Sequence, residues 1–168
     1  FAKSNLTKDG LATNEYDYGD YFAWGATEPW YSSATQTWKN DKPGGYTTDN
    51  APYYKGTKYA EDGKNLEAAD DAARQILKGD WQIPTKEIWD KLFESSKYEW
   101  TKTSKAKYNG YQVKSKKSET GTIFLPVAGE VHQSSLSSAG TYGFYWSGTA
   151  NSKDAAYSLY LYLFHTEG

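Results

Sequence analysis

Hydrophobic positions change rhythm along the chain, and each rhythm predicts an element. Ala69, Ala72, Ala73, Ile76 and Leu77 recur at helical spacing, which predicts a helix from Leu66 to Leu77 with one apolar face. Glu67, Asp70 and Asp71 fall in its first turns and Lys78 at its end, as the helix dipole favours, and Gly79 supplies a stop. A second helix is expected from Lys86 to Ser95. Ile88, Trp89, Leu92 and Phe93 form its apolar stripe, Thr85 stands where a cap is needed, and Pro84 holds the approach extended.

Beyond residue 97 the period shortens to two. Tyr98–Thr103 and Tyr111–Lys116 are expected to pair, with Asn109-Gly110 as the turn signal between them. Thr122–Val127 reads as a buried strand closed by Gly129, and Phe144–Ser147 as another strand. Tyr157–Phe164 has the cleanest alternation, with Tyr157, Leu159, Leu161 and Leu163 on one face and Ser158, Tyr160, Tyr162 and Phe164 on the other. Ahead of the helices, Tyr16–Gly25 reads as a short strand between glycine turns. Thr27–Gly63, with Pro29, Pro43, Pro52 and Gly44-Gly45, is a long irregular excursion of the kind kept for function or packed on itself. Two helices followed by a run of strands give an α+β domain, and 168 residues make one domain rather than two.

Composition changes this picture in one respect. Aliphatic residues are few, whereas aromatics are 17% of the chain, with 16 Tyr, 7 Trp and 6 Phe. Each buried aromatic removes about 150–250 Å² from water, so the core is expected to be aromatic, with many Tyr hydroxyls at the surface. A net charge of -2 leaves no electrostatic footprint for nucleic acid. No apolar run approaches the ~20 residues that span a bilayer. The absence of Cys excludes disulfides, thiolate metal sites and a Cys nucleophile. With no Met either, the chain reads as a processed or excerpted product.

Three segments together carry a resemblance. The first is Asp70-Asp71-Ala72-Ala73 followed by Gly79-Asp80-Trp81-Gln82-Ile83-Pro84-Thr85-Lys86-Glu87-Ile88-Trp89-Asp90-Lys91-Leu92. The second is Thr122-Ile123-Phe124-Leu125-Pro126-Val127-Ala128-Gly129. The third is Gly140-Thr141-Tyr142-Gly143-Phe144-Tyr145-Trp146-Ser147-Gly148-Thr149, then Ala155-Ala156-Tyr157-Ser158-Leu159-Tyr160. In this order, and with Phe1–Leu6 and Tyr18–Gly25 ahead of them, they closely resemble the Fibrobacter succinogenes major paralogous domain family of Bacteroides-type bacteria. The resemblance covers nearly the whole chain. It implies the C-type lectin-like fold, shared with formylglycine-generating enzymes and with the variable proteins of diversity-generating retroelements: two helices packed on small antiparallel sheets with long irregular loops. It also implies a strand before Phe1 and a closing strand after Gly168. Residues 1–168 are therefore expected to be a single C-type lectin-like domain lacking its first and last strands, or cut from a longer protein.

The resemblance raises enzymatic chemistry, and the residues argue against it. The copper-holding Cys pair of formylglycine-generating enzymes is missing, and the iron enzymes of this fold need clustered His, whereas His132 and His165 stand far apart without companions. Asp70-Asp71, Asp17 with Asp20, and Glu61-Asp62 are carboxylate pairs, but sequence adjacency does not create the cleft that glycoside hydrolysis needs. Glu28-Pro29-Trp30 and Trp38-Lys39-Asn40-Asp41 imitate the calcium motifs of animal lectins, though they precede the first helix instead of following the second. Asp41, Asp49 and Asn50 offer oxygen ligands suited to a structural calcium ion, against the ordinary reading as turn residues. No cofactor is expected. Asn5-Leu6-Thr7 is a formal glycosylation sequon with little meaning in a bacterium. Trp81 and Trp89 are read as core aromatics, with sugar stacking by either as the lesser alternative. The lysines from Lys102 to Lys117 are read as a solvated, aggregation-resistant hairpin, with a patch for an acidic partner as the alternative.

The strongest functional signal is Tyr142 to His165, which corresponds to the variable region of the retroelement proteins. Tyr and Trp give large contact area for few frozen torsions, and Ser and Asn give adaptable hydrogen bonds. Tyr142, Tyr145, Trp146, Asn151, Asp154, Tyr160, Tyr162 and His165 are the candidate ligand-binding residues. The expected function is non-catalytic ligand binding or adhesion, with a Tyr-rich surface for an unidentified protein or glycan partner at the bacterial cell surface. The location comes from the resemblance alone. A retroelement-diversified receptor-binding protein of a phage or its host is the first alternative, and a hydrolase or metal enzyme on the same fold the second.

Overall fold

The computed structural model describes residues 1–39, 58–132 and 134–151, and the backbone of 158–162. The chain opens with strands β1 (Leu6–Thr7) and β2 (Gly10–Leu11), which pair as a hairpin. Strands β3 (Asp20–Tyr21), β4 (Tyr31–Ser32) and β5 (Thr37–Trp38) then form a small antiparallel sheet. Helix α1 (Ala72–Leu77) follows a 3-10 turn at Ala68–Asp70, and α2 spans Lys86–Leu92. Three longer strands come next: β6 (Tyr98–Lys105), β7 (Tyr108–Ser115) and β8 (Thr122–Pro126), in the order β6-β7-β8. Strands β9 (Glu130–His132) and β10 (Ser135–Ser137) form a hairpin, and β11 (Tyr142–Trp146) pairs with β12 (Ser158–Tyr162). The class is mixed α+β, built of small antiparallel sheets around two helices.

The β6-β7-β8 sheet is covered on both faces. On one, Trp100 opposes Val113 and Val113 opposes Ile123, with Tyr111 beside Leu125. Trp89 and Leu92 of α2 pack there and complete an aromatic–aliphatic core with Val127 and Tyr145. Phe124 lies on the other face by register and is buried, with Lys105 Nζ 5.4 Å from its ring centre. Tyr108 stacks on Tyr16 at 5.5 Å and meets Tyr18 edge-on at 5.1 Å, while Lys105 bonds Glu15 at 2.6 Å. The core is thus mixed, not predominantly aromatic as the composition predicts: Leu92, Val113, Leu125 and Val127 fill its centre, and partly buried Tyr98, Trp100, Tyr111 and Tyr145 pack around it. A second cluster joins Trp24, Tyr59 and Ala150, with the two rings edge-to-face at 5.1 Å.

Local chemistry explains where the elements depart from the sequence expectation. The first helix is shorter because Asp71 keeps an extended backbone and caps α1 with its carboxylate, accepting from Arg74 N at 3.0 Å. Thr85 caps α2 as expected, accepting from Ile88 N. Asn109-Gly110 does not form the hairpin turn; it lies inside β7, and the two-residue loop is Ala106-Lys107, with Ala106 in the left-handed region at φ 52. Gly110 is needed inside the strand, since a Cβ there would stand 2.6 Å from the Phe124 ring tip and 2.9 Å from Pro126 Cα. The irregular excursion after Thr27 carries β4 and β5, and its residues 40–57 lie outside the described residues.

Candidate functional site

Residues 146–150 are the point where separate parts of the chain converge. The Trp89 indole of α2 donates to Trp146 O at 3.2 Å, and the Trp24 indole donates to Ser147 O at 2.8 Å. Gly148 N donates to Pro84 O, and Gly148 O accepts from Leu66 N. Thr149 Oγ1 accepts from Lys86 N at 2.9 Å, satisfying one of the otherwise orphaned donors at the start of α2, and donates to Asn65 Oδ1 at 2.7 Å. Ala150 exchanges backbone bonds with Lys64 and Gly63. Ser147 and Ala150 are almost completely buried. The Trp-Ser-Gly-Thr run therefore holds α2 and the segment at residues 63–66 to the last strand pair.

Trp146 sits at the edge of this junction and is different from its neighbours. Its backbone carbonyl is held by Trp89 and its indole N–H donates to Phe22 O at 2.9 Å, yet the side chain is 41% exposed. A large ring is thereby displayed in a fixed orientation. Register extends this face: Tyr142 opposes Tyr162, Phe144 opposes Tyr160, and Trp146 opposes Ser158. Alternation along a strand puts positions 142, 144, 146, 158, 160 and 162 on one face, and 143, 145, 159 and 161 on the other.

Among the candidate residues, then, Tyr142, Trp146, Tyr160 and Tyr162 share a face by register. Tyr142 and Asn151 are half-buried. Tyr145 belongs to the opposite face and to the interior. Its hydroxyl donates to Pro126 O at 2.6 Å and accepts from Asn5 Nδ2 at 3.3 Å, and its ring lies 6.1 Å from that of Trp89. Burial pushes its phenol well above the ordinary range, so the group stays a neutral donor. Its place is in the framework, not on the displayed surface. Asp154 and His165 lie outside the described residues.

The other sequence candidates are mostly structural. Asp70 accepts from the Tyr59 hydroxyl at 2.6 Å and from Lys58 Nζ at 2.9 Å, Asp71 caps α1, Asp17 accepts from Asn14 N, and Asp20 accepts from Lys8 N. Glu28 is ion-paired to Lys39 at 2.8 Å, which holds its carboxyl below the usual range, while Asp41, Asp49 and Asn50 of the calcium reading lie outside the described residues. Among the described residues no three His, Asp or Glu side chains gather as a metal site. In the lysine-rich hairpin, Lys105 is paired to Glu15 and Lys116 donates to Ser95 O, which ties both into the scaffold. Polar clefts among the described residues include the following two. One of about 370 Å³ lies between the N-terminal segment and β8, lined by Lys3, Ser4, Thr13, Glu15, Thr120 and Thr122. The other, of about 440 Å³, lies at the loop after β7.

The reading of Trp81 as a core residue is corrected: the side chain is 43% exposed. Polar neighbours on both sides, Asp80 and Gln82, were the signal available in the sequence. Trp89, by contrast, is buried as expected. Compared with family models, curated proteins and solved structures, the chain matches none.

Proposed function

We propose that this chain is a non-catalytic binding domain with a C-type lectin-like fold, presenting a Tyr- and Trp-rich surface to a protein or glycan partner on the outside of a Bacteroides-type cell. The sequence resemblance supports the fold and the setting. The observation that carries the function is Trp146, an exposed ring whose indole N–H and backbone carbonyl are both fixed by the framework. Exposed aromatic area costs free energy in the unbound protein, and a ring already held in place loses little entropy on binding. Register positions Tyr160 and Tyr162 on the same face, which widens the surface.

The test is a glycan and protein array probed with the purified chain, with and without calcium. Binding that falls at least about tenfold in Trp146→Ala and in the Tyr160→Ala/Tyr162→Ala pair, with the thermal transition retained, supports the reading. Binding unchanged in both variants, or turnover of a small compound by the chain, overturns it.

A further inference from the structure

The described tryptophans are almost all engaged. Trp24, Trp89, Trp100 and Trp146 donate their indole N–H to backbone carbonyls, and Trp38 packs on Tyr31 with ring centres 4.6 Å apart. Trp81 stands apart. Among the described residues it has neither a ring partner nor an acceptor for its N–H, and nearly half its side chain faces solvent.

Its loop is nevertheless held firmly. The buried Asp71 carboxylate, 4% exposed, bridges the base, accepting from Arg74 N at 3.0 Å and from Ile83 N at 2.9 Å. The Arg74 guanidinium crosses the loop to donate to Gly79 O, and lies 3.6 Å from Asp80. Lys78 and Gly79 both take left-handed conformations, at φ 65 and 59, and turn the chain outward. Beyond Trp81, Ile83 and Pro84 return to the junction, where Pro84 O accepts from Gly148 N. Lys78 to Gln82 are all exposed. The result is a loop pinned at its base, with one large exposed ring and, on either side of it in the sequence, an exposed carboxylate and carboxamide.

We infer that the Lys78–Gln82 loop is a carbohydrate-contact site in which Trp81 stacks on the C–H face of a neutral pyranose and Asp80 and Gln82 hydrogen-bond its hydroxyls. The size of the feature selects this ligand class. A stable protein interface needs about 800 Å² on each partner, with a contiguous apolar centre. Trp81 is instead flanked in sequence by Lys78, Gly79, Asp80 and Gln82, all exposed, so the apolar area here is that of a single indole, on the scale of one sugar ring. The carboxylate accepts two hydroxyl protons and the amide both donates and accepts, the polar complement a sugar edge requires. The clamp at Asp71 fixes the backbone at the base of the loop in advance, so little main-chain ordering remains to oppose binding. The site is separate from the Tyr142–Tyr162 face and stands whether or not that face binds anything.

The test follows the Trp81 indole resonance, assigned through Trp81→Phe, in ¹⁵N correlation spectra. The intact chain is titrated to millimolar levels with neutral gluco-, manno-, galacto- and xylo-oligosaccharides. The expected result is a saturable shift of that resonance with at least one of these probes. Affinity falls at least about tenfold in Trp81→Ala, is largely retained in Trp81→Phe, and is unchanged in the Tyr160→Ala/Tyr162→Ala pair. A panel that leaves the resonance unmoved overturns the proposal, as does undiminished affinity in a folded Trp81→Ala, or a shift produced only by a protein ligand. If sugar binding instead disappears in the Tyr160→Ala/Tyr162→Ala pair and survives in Trp81→Ala, this site fails while the Tyr-rich face stands.

Discussion

Trp24 and Ser147 are joined across most of the chain: the buried indole N–H donates to the Ser147 carbonyl at 2.8 Å. The bond fixes the N-terminal third against the junction that links α2 to β11. Ser147 is only 1% exposed, so its carbonyl has no ready access to solvent.

Trp24→Phe therefore strands a buried acceptor and shrinks a ring that meets Tyr59 edge-on. The expected cost is at least about 2 kcal/mol, read as a shift in the urea midpoint with an unchanged slope. A variant as stable as the parent would show that this bond contributes nothing to the fold.

Tyr145 and Trp146 are adjacent in sequence and opposite in role. Tyr145→Phe removes the bonds to Pro126 O and Asn5 and should cost about 1–3 kcal/mol in denaturant unfolding while leaving ligand affinity intact. Trp146→Ala should do the reverse in emphasis, with the larger change in affinity. Parallel unfolding and binding measurements on the two variants separate the scaffold from the displayed face.

Alkaline pH should loosen the α1 side of the molecule. Burial, together with the hydrogen bond to Asp70, pushes the Tyr59 phenol up to about 12. A folded value above the ordinary phenol value of about 10 means that the native state holds this proton more tightly than the unfolded chain. The stability it supplies is complete below about pH 10 and drains away as pH rises through about 12. Burial likewise pushes Tyr21 and Tyr145 upward, so they add loss in the same direction. Thermal melting against pH, with phenolate absorbance as the second reading, should show the melting temperature falling over that interval, and falling less steeply in Tyr59→Phe.

The long elements were readable from the chain because their signals are local. Thr85 and the Ile88–Trp89–Leu92 stripe define α2 without help from elsewhere, and the alternation of Ser158–Tyr162 survives as β12. The errors arise where a distant partner decides. Asn109-Gly110 has the ideal residues for a turn, yet Gly110 is kept in β7 by the close approach of Phe124 and Pro126. Asp71 looks like one more acid of a first turn, but the amide of Ile83 draws its carboxylate across the loop and ends the preceding 3-10 turn. The pairs at β1–β2 and β9–β10 are two or three residues long, too short for any period to register. The candidate surface was half legible, for the same reason. Composition identifies an aromatic-rich segment, but the pairing of β11 with β12 is what puts positions 144 and 146 on the face opposite 145, and the exposure of Trp81 was signalled in the sequence only by its polar neighbours.

The junction at residues 146–150 has a consequence for biosynthesis. Trp24, Lys64, Leu66, Pro84 and Trp89 all find their bonding partners in a segment made long after they are. While the nascent chain lengthens, those early indoles and amides must wait, exposed, for a stretch the ribosome has yet to release. Contacts of such high sequence separation form slowly. A translational stall ahead of Trp146 would leave a sticky, unfinished polypeptide that a chaperone must shelter until the missing piece emerges.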